Sequence, residues 1–556
     1  MADLTQLVPP KDLPDAVKET VFNHFAARLA AFRNTAQLYS SLEQDLSSLR
    51  PLTKKARKER FDKEIQQWAQ KLLEQTWLVC GEPGGGKCPE LEPFADTSTG
   101  HLSPLPGPEV LSRILNTVLF IHIATAKQYS AHTRSFLSTF GAFDEQLIVS
   151  ALRNPEKAIE ETQKQAQVAK ESHAQRGKTL RMLGVGLGAV AGGVLVGITG
   201  GLAAPLVGAA ASTVLGILGV GGTAVGLLAT GLASSSVICG ALFGAYGART
   251  TSNMVQRHTR EIRDLAIVPV HKLRKDQESL AVRLCVSGWL TSWDDVVAPW
   301  TVFGGDDTFA LQWEVELLKS LSTALSALVK TNAMRYIQFE VIKRTVFASL
   351  MSSLLPMAWL KIGQIIDNDW MNSKALAVKA GAVLGDLLAN RVFGNRPVTL
   401  TGYSLGGLVI FEALKYLATL PPSQTAHLVQ DVFLFGTPTT TDPATWASIR
   451  RLASGRVVNG YSQDDYVLAV LSRLSNISWG VAGLQPVDVT GVENVFCKGV
   501  DGHTKWRGMI GRSLQQCGAP GIIDVRVDEQ EEALARVETP IELQMSQEEV
   551  DEIVKK

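Results

Sequence analysis

Apolar residues recur at helical spacing through the first third of the chain. From residue 17 to 77 they fall three or four positions apart with charged residues between them, the period of an amphipathic helix. A loop rich in glycine and proline follows over residues 81–108, and helical spacing then resumes. The pattern predicts a helical N-terminal region over residues 1–152. The polar composition of residues 153–181 predicts a solvated or coiled helix.

The character of the chain changes after Arg181. No charged side chain occurs from residue 182 to 248, a run of 67 residues with 18 glycines. Apolar stretches beyond about 18 residues are typical of membrane spans, and small residues four positions apart let helix backbones approach. Basic residues on both flanks favour an even number of crossings with cytosolic ends, although three crossings stay open. We expect a transmembrane hairpin over residues 182–248; the alternative is a hairpin buried in a soluble core.

Beyond a connector predicted to be helical, residues 249–278, short apolar runs alternate with helical periodicity. The runs typical of strands are 281–286, 397–401, 429–435, 456–461 and 493–496, with helices predicted over 311–329, 375–388 and 408–420. This alternation indicates an α/β domain, a mostly parallel sheet with helices on both faces, over residues 279–518. Residues 519–556 are acidic and predict a loosely ordered tail.

Composition narrows the function classes. Lys plus Arg and Asp plus Glu each number 54, so the zero net charge gives no global drive toward nucleic acid. The six cysteines are scattered and predict free thiols in a reducing compartment, with no metal site. The first 15 residues lack the apolar core of a signal peptide, which favours a cytosol-facing protein.

One glycine-rich segment resembles a phosphate-binding loop. Residues 81–88, GEPGGGKC, match its spacing until the last position, where Cys88 replaces Ser or Thr. A phosphate loop opens a helix and places a hydroxyl on Mg²⁺, whereas Pro89 and Pro93 follow here. We therefore predict a flexible surface loop and no cofactor.

The segment Gly402-Tyr403-Ser404-Leu405-Gly406 carries the strongest chemical signal. It follows the strand predicted over residues 397–401 and precedes an apolar helical stretch. A serine on a tight strand-to-helix turn, between glycines, is a nucleophile elbow. The helix N-terminus beneath it favours a developing oxyanion. The motif alone is weak evidence for a nucleophile, so the assignment depends on an acid and a histidine further along the chain.

The α/β-hydrolase fold places serine, acid and histidine in that order along the chain. His503 follows the last predicted strand in a glycine-containing loop, whereas His427 is expected at the surface. Asp464 and Asp465 both follow the strand predicted over residues 456–461, and the register before the apolar residues 467–468 favours Asp465. Asp464 stays open as the acid that orients the imidazole.

Backbone amides would complete such a site. We expect the oxyanion to be held by the amide of Leu405 and by that of Trp289 or Leu290, in the loop after strand 281–286. A glycine at 288 lets this loop approach the substrate. The residues predicted to line the pocket are Gly288, Tyr403, Gly436 and Thr437.

Several longer strings resemble one known family, the transmembrane and coiled-coil domain-containing α/β-hydrolase-like proteins, formerly a domain of unknown function. The strings are VSGW at 286–289, APW at 298–300, RPVTL at 396–400, GYSLG at 402–406, NGY at 459–461, VAGLQPV at 481–487, ENV at 493–495 and GH at 502–503, together with Asp465. The resemblance covers roughly residues 120–518. It implies an α/β-hydrolase fold and a membrane-anchored serine hydrolase or lipase, and it favours Asp465 over Asp464. Gly407 departs from the alanine expected there.

Two functions follow as hypotheses. The first is a membrane-anchored serine ester hydrolase of lipase or phospholipase type, in which Ser404, Asp465 and His503 act through an acyl-enzyme on a lipid ester, without metal or cofactor. The second is a catalytically idle membrane protein on the same fold, acting in protein interaction or trafficking through its N-terminal helices. Both place an integral membrane protein with its α/β domain facing the cytosol, and neither involves nucleic acid.

Overall fold

The computed structural model describes residues 3–93, 96–141, 143–163, 203–217, 222–244, 262, 264–271, 279–329, 356–474 and 480–542. The chain forms two compact units. The helical unit comprises residues 1–35, 65–244 and 394–396, and the sheet unit comprises residues 36–64, 245–393 and 397–556.

The helical unit consists of helices wherever the structure describes it as regular. They are α1 (Leu4–Leu7), α4 (Pro108–Ala126), α5 (Ala131–Ser138), α6 (Glu145–Arg153), α7 (Ala203–Ile217), α8 (Gly222–Ala233) and α9 (Ser235–Phe243), and residues 155–163 are also helical. Two long helices, α2 (Asp15–Leu46) and α3 (Pro51–Val79), contribute residues to both units. They lie where the apolar period predicts helix, and residues 80–93 and 96–107 between α3 and α4 form turns and irregular backbone.

Inside the helical unit, polar side chains form a buried cluster around His122. Its Nδ1 lies 2.8 Å from Gln75 Oε1 and its Nε2 lies 3.1 Å from Thr133 Oγ1. The Trp68 indole donates to the same hydroxyl oxygen at 2.9 Å. Ser130 caps α5 by accepting the Thr133 backbone amide at 3.0 Å. Partners on both ring nitrogens let this histidine lie inside an apolar layer at little cost.

Only part of the uncharged run predicted to cross a membrane lies within the described residues, as α7, α8 and α9. Of the described helices, α4 alone is long and apolar enough to span a bilayer, with 61% of its apolar window buried. The pair α8 and α9, bent by 69°, passes the same test if taken as one broken span. Buried core helices of soluble proteins meet this criterion too, so the two crossings expected over residues 182–248 stay a prediction.

The sheet unit contains a seven-stranded, mostly parallel sheet. Its strands are β1 (Ala266–Pro269), β2 (Val282–Val286), β3 (Asp307–Gln312), β4 (Val398–Tyr403), β5 (Val429–Phe435), β6 (Val457–Tyr461) and β7 (Val492–Phe496). They lie in the order β1-β3-β2-β4-β5-β6-β7, and only the pairing of β1 with β3 is antiparallel. The carboxyl ends of six strands therefore meet at one edge.

Helices pack around this sheet and bury its centre. They are α10 (Val315–Val329), α11 (Pro356–Ala389), α12 (Leu405–Thr419), α13 (Pro422–Thr425), α14 (Pro443–Leu452), α15 (Tyr466–Leu474), α16 (Trp506–Gln516) and α17 (Asp524–Glu542). Every residue of β4 and β5 is buried, which explains their continuous apolar sequence because both faces of a central parallel strand meet helices. Replacing a core side chain such as Leu434 with alanine would cost about 2–5 kcal/mol of stability.

The structure corrects the sequence interpretation in three places. The strand β1 lies within residues 249–278, which were expected to be helical, so the sheet begins upstream of residue 279. β3 occupies the start of the helix predicted over 311–329. The sequence did not indicate this strand because it is almost wholly buried and therefore lacks alternation. The acidic tail contains α17, held by the fully buried Val527 and by a hydrogen bond from the Gly511 amide to Gln530 at 2.8 Å.

Candidate active site

Ser404 lies at the turn between β4 and α12. Its backbone has φ 55° and ψ −133°, a conformation that non-glycine residues adopt only when their surroundings impose it. The neighbouring strand β5 helps to hold this conformation, because the Ser404 amide donates to the carbonyl of Phe435 at 2.9 Å. The Ser404 side chain at this turn is fully buried.

His503 meets this hydroxyl from the loop that follows β7. The residue begins a short 3-10 helix, His503–Lys505, and its Nε2 lies 2.5 Å from Ser404 Oγ. Its Nδ1 lies 2.7 Å from Asp465 Oδ2. Serine, imidazole and carboxylate thus form one continuous hydrogen-bonded chain, and all three side chains are fully buried. In this arrangement the imidazole can take a proton from the serine while the carboxylate holds the ring.

Asp465 follows β6, and each of its two carboxylate oxygens has a different partner. Its Oδ1 accepts the backbone amide of Leu468 at 3.0 Å in the first turn of α15, and its Oδ2 faces His503. The helix-capping and ring-orienting roles therefore coexist in one carboxylate. Asp464, the alternative from the sequence, is exposed and points to neither group.

Sequence reasoning missed the second donor to this carboxylate. The fully buried Trp506 donates its indole Nε1–H to Asp465 Oδ2 at 2.9 Å. Gly436, predicted to line the pocket, packs against the same indole ring. Two donors on Oδ2 fix the position of the carboxylate. The only signal in the sequence is the spacing of three residues from His503, which places both on one short helical segment.

The loop after β2 presses its backbone against the first turn of α12. A Cβ built at Gly288 would lie 2.0 Å from the Gly406 nitrogen and 2.3 Å from the Leu405 nitrogen, so only glycine fits there. Amides in a first helical turn have no intrahelical acceptor. Within the described residues, the amides of Leu405, Trp289 and Leu290 also find none elsewhere. The structure thus places Gly288 against the first turn of α12, while the role of these amides as oxyanion donors stays a prediction.

Several buried groups hold this loop in place. Ser287 donates its hydroxyl to the Asp295 carbonyl at 2.8 Å and accepts the Trp300 indole at 3.0 Å. Tyr403 donates its hydroxyl to the Trp289 carbonyl at 2.9 Å, and burial raises the pKa of Tyr403. Tyr403, expected to line the pocket, therefore supports the loop from beneath. The Trp289 ring in turn packs edge-on against His503, with centroids 5.6 Å apart.

An ion pair links the same loop to the helix that follows His503. Asp295 Oδ2 accepts the amides of Thr291 and Ser292 at 2.6 and 2.9 Å. Arg507, in α16, donates to that carboxylate at 3.0 Å and to the Thr291 hydroxyl at 2.5 Å. This ion pair leaves no signal in the sequence, because its members are more than 200 residues apart.

Thr437 explains the unusual glycine in the elbow. A Cβ at Gly407 would lie 2.2 Å from Thr437 Oγ1, so the alanine expected from the resemblance does not fit beside this threonine. Thr437 is fully buried and follows β5. It lies against the first turn of α12, and its place in a substrate pocket stays a prediction.

The remaining histidine after Ser404 lies apart from this chain of hydrogen bonds. His427 precedes β5 and is partly buried, where we expected a surface residue. Burial, reinforced by the charge of Arg391, lowers the pKa of His427 to about 4. A ring that stays neutral near pH 7 suits an apolar setting.

Comparisons with known proteins identify relatives of this chain. The chain is 34% identical over 361 residues to the uncharacterized membrane protein C6F6.13c of Schizosaccharomyces pombe, covering 63% of this chain and 61% of that protein. It is 34% identical over 332 residues to the transmembrane and coiled-coil domain-containing protein STS1 of rice (Oryza sativa subsp. japonica), covering 58% and 50%. It is 35% identical over 309 residues to "Probable lipase MIL1" of Saccharomyces cerevisiae, covering 54% and 27%.

These matches span less than two thirds of each relative's own length. No solved structure matches the chain. The profile of one family, described as a protein of unknown function (DUF726), matches residues 177–519. That segment holds all seven strands together with Ser404, Asp465 and His503. The chain therefore belongs to the DUF726 family.

Proposed function

We propose that this chain is a membrane-anchored serine ester hydrolase of the α/β-hydrolase fold. The observation that carries the proposal is the chain of hydrogen bonds from Ser404 through His503 to Asp465, at 2.5 and 2.7 Å. The three residues occur in the order serine, acid, histidine, and the serine lies on a strained strand-to-helix turn, both of which are characteristic of that fold. The mostly parallel sheet supports the same assignment.

In the proposed mechanism, Ser404 attacks the acyl carbonyl carbon of an ester while His503 Nε2 takes the hydroxyl proton. Asp465 stabilises the imidazolium, and the amides of Leu405 and Trp289 hold the oxyanion. Collapse of the tetrahedral intermediate passes the proton to the departing alcohol and leaves an acyl-enzyme. Water, deprotonated by the same imidazole, then releases the carboxylic acid and restores Ser404.

We infer that the substrate is a lipid ester. Residues 182–248 carry no charge, and attachment to a membrane would raise the frequency of encounter with bilayer-borne esters. One relative is named a lipase. The loop that follows β2 also carries buried aromatic rings, among them Trp289 and Trp300, and the Trp300 indole donates to Ser287 in that loop. Because Ser404 is fully buried, an acyl chain can reach it only after neighbouring side chains move apart.

The test is hydrolysis by the full chain reconstituted in bilayer nanodiscs. A panel of fluorogenic acyl esters and phospholipids would be compared between the wild type and Ser404→Ala, each checked for folding by circular dichroism. We expect turnover of at least one lipid ester that Ser404→Ala lowers by about 10⁴-fold or more. Equal rates for the two proteins would overturn the proposal.

The complete burial of Ser404 favours one alternative, a closed site on a protein that acts through interaction. The two proposals differ in a measurable way. An idle site gives no acyl-enzyme after rapid quenching with any ester of the panel, whereas the hydrolase accumulates one when deacylation is slow.

A further inference from the structure

Three leucines are exposed to water at the turn between α2 and α3. The exposed fractions are 39% for Leu46, 42% for Leu49 and 83% for Leu52. We call residues 46–60 the hairpin tip. Scattered surface leucines need no explanation, but three exposed leucines within seven residues concentrate apolar surface at one turn, which marks an interaction site.

The hairpin tip is also strongly basic. Its charged residues are Arg50, Lys54, Lys55, Arg57, Lys58 and Arg60, against the single acid Glu59. Three of these bases have an acidic neighbour: Lys55 with Glu59, Arg57 with Glu43 and Lys58 with Asp62. Arg50, Lys54 and Arg60 form no ion pair within the part of the chain that the structure describes. Their charge is available to an anionic partner.

An open groove adjoins the hairpin tip within the sheet unit. Its volume is about 410 Å³, and its walls are the start of α3 and the end of α12. Leu52, Leu420 and Pro421 supply apolar lining, while Arg57 and Arg60 supply positive charge. Apolar walls beside two guanidinium groups suit a molecule with a hydrocarbon part and a phosphate.

We propose that the hairpin tip is a docking surface for the anionic face of a lipid bilayer. Exposed leucines flanked by lysine and arginine are the combination that inserts at the boundary of headgroups and acyl chains. The unpaired bases contact anionic headgroups, each strengthening binding through the negative surface potential. The leucines give the contact its apolar part, and the groove receives a phospholipid headgroup. This surface is separate from Ser404 and does not depend on the proposed hydrolysis.

The experiment measures transfer of the full chain to vesicles. The protein is reconstituted in neutral phosphatidylcholine nanodiscs and floated with vesicles of phosphatidylcholine alone or with about a third phosphatidylserine. We expect at least tenfold tighter binding to the anionic vesicles, weakened by salt because exposed charges are screened. The double variant Leu49→Asp/Leu52→Asp should abolish binding, and Lys54→Glu/Lys55→Glu should remove the preference for phosphatidylserine.

Matched variants separate the surface from general effects. Leu38→Asp places the same change on α2 at a leucine that is 55% exposed but outside the hairpin tip, and Ser404→Ala removes the proposed nucleophile. Both should bind anionic vesicles like the wild type. Binding without preference for phosphatidylserine, or equal loss in Leu38→Asp and Leu49→Asp/Leu52→Asp, would overturn the proposal. Absence of vesicle binding would do the same, and would leave a protein as the occupant of the patch.

Discussion

Two buried histidines in this protein have similar surroundings. In the helical unit, His122 lies between the hydroxyl of Thr133 at 3.1 Å and the amide oxygen of Gln75 at 2.8 Å. In the sheet unit, His503 lies between the hydroxyl of Ser404 at 2.5 Å and the carboxylate of Asp465 at 2.7 Å. Each ring joins an alcohol to a side-chain oxygen.

The differences show which features would produce a nucleophile. Gln75 is neutral, so it cannot stabilise an imidazolium as a carboxylate does. The Thr133 hydroxyl already accepts the Trp68 indole and lies in the ordinary first turn of α5. Ser404 instead has a positive φ beside the amide of Leu405, which finds no acceptor among the described residues. A hydroxyl near an imidazole is therefore not enough, and the charge behind the ring and the strained turn that carries the serine distinguish the two clusters.

The largest expected difference is between the two histidines themselves. His503→Gln should lower the rate of ester hydrolysis by about 10⁵-fold, since the proton acceptor is lost. His122→Gln should leave the rate unchanged and lower the free energy of unfolding by about 1–3 kcal/mol, because a buried hydrogen-bonding group loses its partners. Steady-state kinetics and denaturant unfolding of both variants measure this. A similar loss of activity in His122→Gln would remove the distinction.

The carboxylate should have the next largest effect. Asp465→Asn keeps the shape and an acceptor for the Leu468 amide, but favours the wrong imidazole tautomer, so kcat should fall by about 10⁴-fold. The reciprocal change, Gln75→Glu, supplies a carboxylate to His122, and we expect Thr133 to remain unreactive because its hydroxyl lies in an ordinary helical turn and already accepts the Trp68 indole. Acylation of Thr133 in that variant, detected by mass spectrometry, would show that the charge alone suffices.

The backbone contact at Gly288 provides a third test. Gly288→Ala forces apart the loop and the first turn of α12, since the added Cβ would lie 2.0 Å from the Gly406 nitrogen. Losing one oxyanion donor lowers kcat by about 10²–10³-fold. Gly100→Ala is the control, because a Cβ at Gly100 has no atom within 4 Å. Unchanged kcat in Gly288→Ala would place the oxyanion donors elsewhere.

The smallest effect is expected at Trp506. Trp506→Phe removes the second donor to Asp465 while keeping most of the buried volume, and should lower kcat about tenfold with little change in KM. Trp446→Phe removes an indole that donates to the Thr440 carbonyl at 2.8 Å, which is remote from the proposed triad. If both variants lose activity equally, the effect is one of packing rather than of positioning the carboxylate.

The sequence contained enough to predict the centre of the sheet and to name the residues that the structure brings together around Ser404. Fully buried strands such as β5 have continuous apolar sequences, and the elbow motif marks its own turn. The catalytic roles of these residues stay predictions. The edge strand β1 was missed because three partly buried residues and one exposed residue leave no pattern.

At the site, contacts between residues far apart in the sequence limit what the sequence can predict. Trp506, Asp295 and Arg507 look like ordinary residues in the sequence, because their positions depend on how loops from distant strands meet. The helix α17 was also missed, since its charged composition hides the few residues, such as Val527, that dock it. Local spacing specifies elements and turns, whereas the residues that support a site emerge only when the sheet is assembled.

Fluorophosphonate labelling of the full chain, followed by peptide mass spectrometry, tests the central claim most directly. The account predicts one adduct on the peptide that contains Ser404, absent in Ser404→Ala and formed far more slowly in Asp465→Asn. No adduct on the folded wild type, or an adduct that persists in Ser404→Ala, would contradict it.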